Sequence, residues 1–227
     1  MYFEAFSISG LALRWGQLIT LALSFFLLIV PFYLHAQNST DSVADLQRQW
    51  DIIQFQTPKS EREEAFKTLA SKAEQSTLTH SNDPDYLLWQ GIILSSWAGE
   101  KGGLGALGLV KQAKQLYERV IELKPTTLDG SAFSSLGVLY YKVPGWPLGF
   151  GDKAKAGDLL RRALEINPAS VDANYFYADY LFEQGDLQQA KLYAERALQA
   201  PKRTGRELAD QGRKTETATL LNKIGLR

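Results

Sequence analysis

After residue 40, apolar residues recur at intervals of three and four along most of the chain, which is the periodicity of one helical stripe after another. In "SVADLQRQWDIIQFQ", Val43, Leu46, Trp50 and Ile53 share one face. In "TPKSEREEAFKTLASKAEQ", Phe66, Leu69, Ala70 and Ala73 do the same; Pro58 suits a first turn, and Ser60 and Glu63 have capping-box spacing. "THSNDPD", Thr79 to Asp85, is a polar break. Three later segments, "KQAKQLYERVIELKP", "AKAGDLLRRALEINP" and "LQQAKLYAERALQAP", align on one another. Their alanines are Ala113, Ala156 and Ala190, followed seven residues later by Val120, Ala163 and Ala197, and each segment closes on a proline, Pro125, Pro168 or Pro201. The alanine spacing is 43 and then 34 residues, and a period in the thirties signals a helical repeat array.

Each of these segments follows another helix in which a small residue succeeds a large one, at Gly91, Gly137 and Ala178. Small residues at fixed positions let paired helices A and B approach closely. The proline ends helix B, since it cannot donate a backbone hydrogen bond within a continuing helix. One pair cannot bury its apolar face alone, so pairs stack. The expected fold is all-α, a short superhelical array of helix pairs.

The order large residue, Gly or Ala, aromatic, Gly-Asp, Ala, Ala, Pro resembles the tetratricopeptide repeat family. The third copy carries it in Tyr177, Ala178, Leu181, Gly185, Asp186, Ala190 and Ala197, and the second in Leu136, Gly137, Tyr140, Gly151, Asp152, Ala156, Leu160, Ala163 and Pro168. The first has Gly91, Leu94, Ala113, Tyr117 and Pro125 but no Gly-Asp pair. On this resemblance, 84–201 hold three repeats, 37–83 a divergent repeat or cap, and 202–227 a C-terminal capping helix that packs through Leu208, Leu220, Leu221 and Ile224. The resemblance implies a concave groove lined by the A helices. Carried over by position, that groove includes Leu88, Ile92, Ser134, Val138, Tyr141, Tyr175, Asp179 and Phe182, a mixed aromatic and polar surface suited to a peptide, a helix or a small apolar ligand.

Two copies are too long between their helices. Gly151 lies fourteen residues after Gly137, whereas Gly185 lies seven after Ala178; the surplus is the "VPGWPLGF" region. The first copy has a surplus of ten at the equivalent place, "AGEKGGLGALGLV". Insertions in a solenoid emerge on one edge, often the binding edge. Leu104, Leu107, Pro144, Trp146, Phe150 and Asp152 are therefore the loop candidates, either plugging the edge or meeting a ligand or partner. "GLGALG", Gly103 to Gly108, matches a dinucleotide fingerprint, but that motif needs a preceding strand, and here the preceding run aligns with a helix.

Composition narrows function by exclusion. Lysine plus arginine balance aspartate plus glutamate at 25 each, so no basic excess favours nucleic acid. Cysteine is absent, which removes disulfides, zinc thiolates, thiol catalysis and a lipoprotein anchor. Beyond residue 36 there is one histidine, His80, in a polar linker, and no spacing that fits a hydrolase triad or metal site, so neither enzyme activity nor a cofactor is expected. Arg14 followed by the apolar run Leu18 to Leu34 and by Ala36 reads as a secretory signal over 1–36, cleaved after Ala36, or otherwise as an uncleaved inner-membrane anchor. The late basic residues Lys202, Arg203, Arg206, Arg213 and Lys214 read as a solvated helix face; the functional alternative is an anion or carboxylate contact by Arg203 or Arg206.

"PGWPLGFGDKAKAGDLLRRALEINP", "DANYFYADYLFEQGD" and "GRELADQGR" together also resemble the T component associated with tripartite periplasmic (TRAP) transporters. That resemblance implies a periplasmic, non-catalytic scaffold that partners a substrate-binding protein and forms a homo-oligomer. The alternative is a carrier of a small apolar or carboxylate ligand at the insertion loops.

Overall fold

The computed structural model describes residues 41–226; the expected leader over 1–36 lies outside them. The described residues contain nine α-helices and two short 3-10 turns, and no strand among them. The helices are α1 Val43–Phe55, α2 Lys59–Thr79, α3 Pro84–Lys101, α4 Leu107–Leu123, α5 Ser131–Lys142, α6 Lys153–Ile166, α7 Val171–Gln184, α8 Leu187–Gln199 and α9 Glu207–Gly225. None of them is long and apolar enough to cross a membrane.

Local chemistry sets the helix ends. Ser42 and Asp45 form a reciprocal capping box at α1, each side chain accepting from the other's backbone N–H. The box expected at Ser60 and Glu63 does not form. Pro58 is the N-cap of α2, so Ser60 already lies inside the helix, and no side chain caps that end. Asp83 caps α3 with Pro84 in its first turn, and Asp152, Ser170 and Asp186 cap α6, α7 and α8. Helices α4, α6 and α8 stop at Lys124, Asn167 and Ala200, each just before the expected proline. These residues have ψ of 88°, 91° and 142°, the non-helical range that a following proline imposes.

The helices pair in order, α1 with α2, α3 with α4, α5 with α6 and α7 with α8, and the A helices α1, α3, α5 and α7 each touch the next. Ala113, Ala156, Ala163, Ala190 and Ala197 are fully buried. The small residues on the A helices keep the pairs close: a Cβ at Gly91 would stand 2.6 Å from the Tyr117 ring, and one at Gly137 2.8 Å from Leu160 Cγ. The two surplus stretches fold differently. The first is taken up mainly as helix, since α3 and α4 run 18 and 17 residues against 14 and 13 in α7 and α8, which leaves only 102–106 between them. The second stays a true loop from Val143 to Asp152.

Helix α9 does more than finish the stack. It packs on α8 and α7 and reaches α1 at the other end of the array. The last helix therefore lies across the face formed by the A helices.

Candidate functional site

The inner face and the helix that crosses it bring aromatic, hydroxyl and charged side chains together. A cavity of about 290 Å³ lies there, at the lower end of the range for small-molecule sites. Its apolar wall comes from α1 and α3, through Trp50, Phe55, Trp89 and Ile92, with Phe176 of α7. Trp50 meets Phe55 and Trp89 edge-on, with ring centroids 5.7 and 6.0 Å apart. The polar wall is Ser131, Ser134 and Ser135 on α5. One edge is the turn before α5, where Leu128 and Asp129 have φ of 42° and 58°. Two successive left-handed non-glycine residues cost on the order of 1–3 kcal/mol each. Ser131 Oγ donates to the Leu128 carbonyl at 2.5 Å and braces the turn.

The remaining side is α9 and the segment before it. Arg206 makes a two-pronged pair with Asp51 of α1, at 2.8 and 3.1 Å, and its guanidinium lies 5.0 Å from the Trp89 ring. Arg203 pairs with Asp172 of α7 and Asp210 of α9, both at 2.7 Å. Arg213 pairs with Asp172 at 2.8 Å and Glu216 at 2.5 Å, and stacks on Tyr175 and Phe176 at 4.7 and 4.6 Å. Burial alone would raise the Asp172 carboxyl; the two guanidiniums outweigh it and hold the group at about 2. At Asp51 the balance is reversed, and burial raises the carboxyl despite Arg206. Tyr175 is pushed up to about 12, mainly by burial and then by Glu216.

The residues expected to line the groove divide. Ile92 and Ser134 line the cavity, whereas Leu88 is fully buried in the core. Val138 and Phe182 pack half-buried against the core. Tyr141 donates to Asp179 at 2.9 Å, and Asp179 also pairs with Lys142 at 2.8 Å. Tyr175 lies under the Arg213 guanidinium. The late basic residues are not a uniformly solvated face, because Arg213 is buried and Arg203 and Arg206 are largely covered. The carboxylates that Arg203 and Arg206 meet belong to this same chain.

The loop residues divide too. Phe150 packs edge-on against Tyr140 at 5.5 Å, with Lys114 Nζ 5.9 Å from its ring, and Leu107 packs against the core. Trp146 is 90% exposed, Leu104 79% and Leu148 63%, so of the two alternatives these side chains do not plug the edge within this chain. The loop is nevertheless firmly built. The Pro144 carbonyl accepts from Gly151, Gly145 from Leu148 and Gly149, and Tyr140 from Asp152, whose carboxylate caps α6. A Cβ at Gly151 would stand 2.0 Å from the Val143 carbonyl oxygen, so only glycine closes this loop.

Sequence reasoning missed Trp50, Phe55, Trp89, Asp129, Asp172 and Phe176 as cavity residues. Except for Asp129, which stands on the turn before α5, they lie on helices that were legible, but the cavity they share is completed by where α9 lies. No group of His, Cys, Asp and Glu among the described residues could hold a metal ion. His80 stacks on Tyr86 at 4.1 Å, with Nδ1 2.8 Å from the Ser76 carbonyl at the end of α2, a structural position.

Residues 148–206, from the braced loop to the foot of α9, match the family model described as tetratricopeptide repeat. No curated protein matches the chain. Among solved structures, one of the MamA protein is 18% identical, covers 79% of this chain and 89% of its own, and superposes with a TM-score of 0.41. MamA from Desulfovibrio magneticus RS-1, from residue 41 to its end, is 16% identical over 82% of this chain and 96% of its own, with a TM-score of 0.42.

Proposed function

We propose that this chain is a non-catalytic protein-interaction scaffold that meets its partner through the edge carrying the Val143–Asp152 loop. One observation carries the reading: an indole ring that is 90% exposed stands on a backbone closed by several internal hydrogen bonds. A large aromatic carried on a backbone that is already ordered costs little loop entropy on association. The repeat over 148–206 supports the same class of function. The finer reading adds export through 1–36 and a periplasmic partner, a substrate-binding protein of a tripartite transporter; its support is the apolar run ending at Ala36 and the resemblance of the repeat segments.

The test is a photo-crosslinking residue placed at Trp146 in the full chain within its own cells, with Leu192 on α8 as an exposed control. A single discrete adduct at 146 and none at 192 is expected, and mass spectrometry then identifies the partner. Equal labelling at both positions, or none at 146, overturns the edge as the contact. Cell fractionation with sequencing of the mature N-terminus checks export. A chain that stays with cytoplasmic markers and keeps residues 1–36 contradicts it.

A further inference from the structure

The cavity under α9 is separate from the exposed loop, and its charges determine the sign of an occupant. Five charged side chains line it, Asp129, Asp172, Arg203, Arg206 and Arg213. The three guanidiniums are already matched in charge by four carboxylates of the chain, Asp51, Asp172, Asp210 and Glu216, although the Arg203 Nη2 group donates no hydrogen bond among the described residues. A ligand carboxylate or phosphate would have to displace one of these from a close, partly buried pair. Asp129 is different: it makes no ion pair among the described residues and is exposed at the cavity edge. Among the described residues that line the cavity, the one charge without an opposite partner is therefore negative. Asp129 stands on the left-handed turn, which fixes its backbone without using its carboxylate.

The rest of the lining specifies the ligand body. Trp50, Phe55 and Phe176 form an apolar wall that suits a flat group. Trp89 also lines the cavity; its side chain is buried, and its indole N–H has no acceptor among the described residues. A buried donor without a partner leaves a hydrogen bond for a ligand to complete.

We propose that this cavity binds a small organic monocation, with an ammonium group at Asp129, a planar apolar body against Trp50, Phe55 and Phe176, and an acceptor atom that satisfies the Trp89 indole N–H. The size and the isolated carboxylate together favour an aromatic amine over an acid of the same shape.

Three probes of one shape and different charge test the proposal: tyramine, the neutral tyrosol and the anionic 4-hydroxyphenylacetate, titrated calorimetrically into the full-length chain near neutral pH. Tyramine is expected to bind at least about tenfold more tightly than the acid, with tyrosol between them. Asp129→Asn should bring tyramine to within about twofold of tyrosol while leaving the melting temperature unchanged, because asparagine tolerates the left-handed backbone. Ile92→Trp, which fills the cavity, should weaken all three probes. The proposal is overturned if the acid binds as well as the amine, if Asp129→Asn keeps the amine preference, or if tyramine gives no heat up to about 10 mM.

Discussion

At Gly137 the absence of a side chain sets the distance between two helices. A methyl group there would stand 2.8 Å from Leu160 Cγ, in a fully buried layer. Helix propensity favours alanine over glycine by about 1 kcal/mol, but overpacking a filled core costs about 1–3 kcal/mol. Gly137→Ala is therefore expected to lower the urea midpoint despite its better propensity; a raised midpoint would show that Leu160 gives way freely. The second loop provides a paired test. Trp146→Ala should change stability by less than about 0.5 kcal/mol, as surface substitutions do. Phe150→Ala should cost about 1–3 kcal/mol, since it removes a ring packed on Tyr140. Equal losses from the two would mean that Trp146 is also a packing residue. At Asp172, the folded pKa of about 2 lies below the ordinary value of 3.8. Its charged pairs therefore stabilise the fold above about pH 4, and this contribution, roughly 2 kcal/mol, is lost as the pH falls toward 2. Asp51, with its carboxyl raised, contributes in the opposite direction. Asp172→Asn should thus flatten the fall in melting temperature between about pH 4 and pH 2.

Elements that depend on local chemistry were legible from the sequence. The B helices end before Pro125, Pro168 and Pro201 as expected, because proline acts on its immediate neighbours. The first surplus was not legible as helix: Gly102, Gly103 and Gly105 read as loop, yet only Gly102 and Gly103 have positive φ, and the leucines beyond Gly105 continue as α4. Helix α9 was the least legible. It looks polar, and its buried face includes Asp210, Arg213 and Thr217 beside Ala209, Leu220 and Ile224. Such a face matches a groove that supplies the opposite charges, and those lie on helices far away in the sequence. The tie at Asp51 tests how strongly α9 is held. Arg206 and Asp51 are 16% and 6% exposed as side chains. Asp51→Ala leaves a covered guanidinium without its partner and should cost about 3–5 kcal/mol, with faster amide exchange in α9. Adding Arg206→Ala should recover part of that loss. An unchanged exchange rate in the single variant would mean that α8 and α7 alone fix the helix.

For the whole molecule, the repeat period gave the all-α array of pairs, because each pair is a local hairpin and stacking follows from its unburied face. The period carries no information on the two long-range features, the cavity and the crossing helix. A stack of repeats usually touches only its neighbours and unravels from either end. Here the contact between Asp51 and Arg206, 155 residues apart, joins the first helix to the segment that leads into the last. The described array is thus stitched along two seams, one between successive pairs and one between its first and last helices. A single break in the loop after the exposed Leu148 would cut the backbone between α5 and α6 but cross neither the α5–α6 packing nor the far seam. The nicked protein is expected to migrate as one particle on size-exclusion chromatography and to melt in one transition, with its two fragments parting only in denaturant.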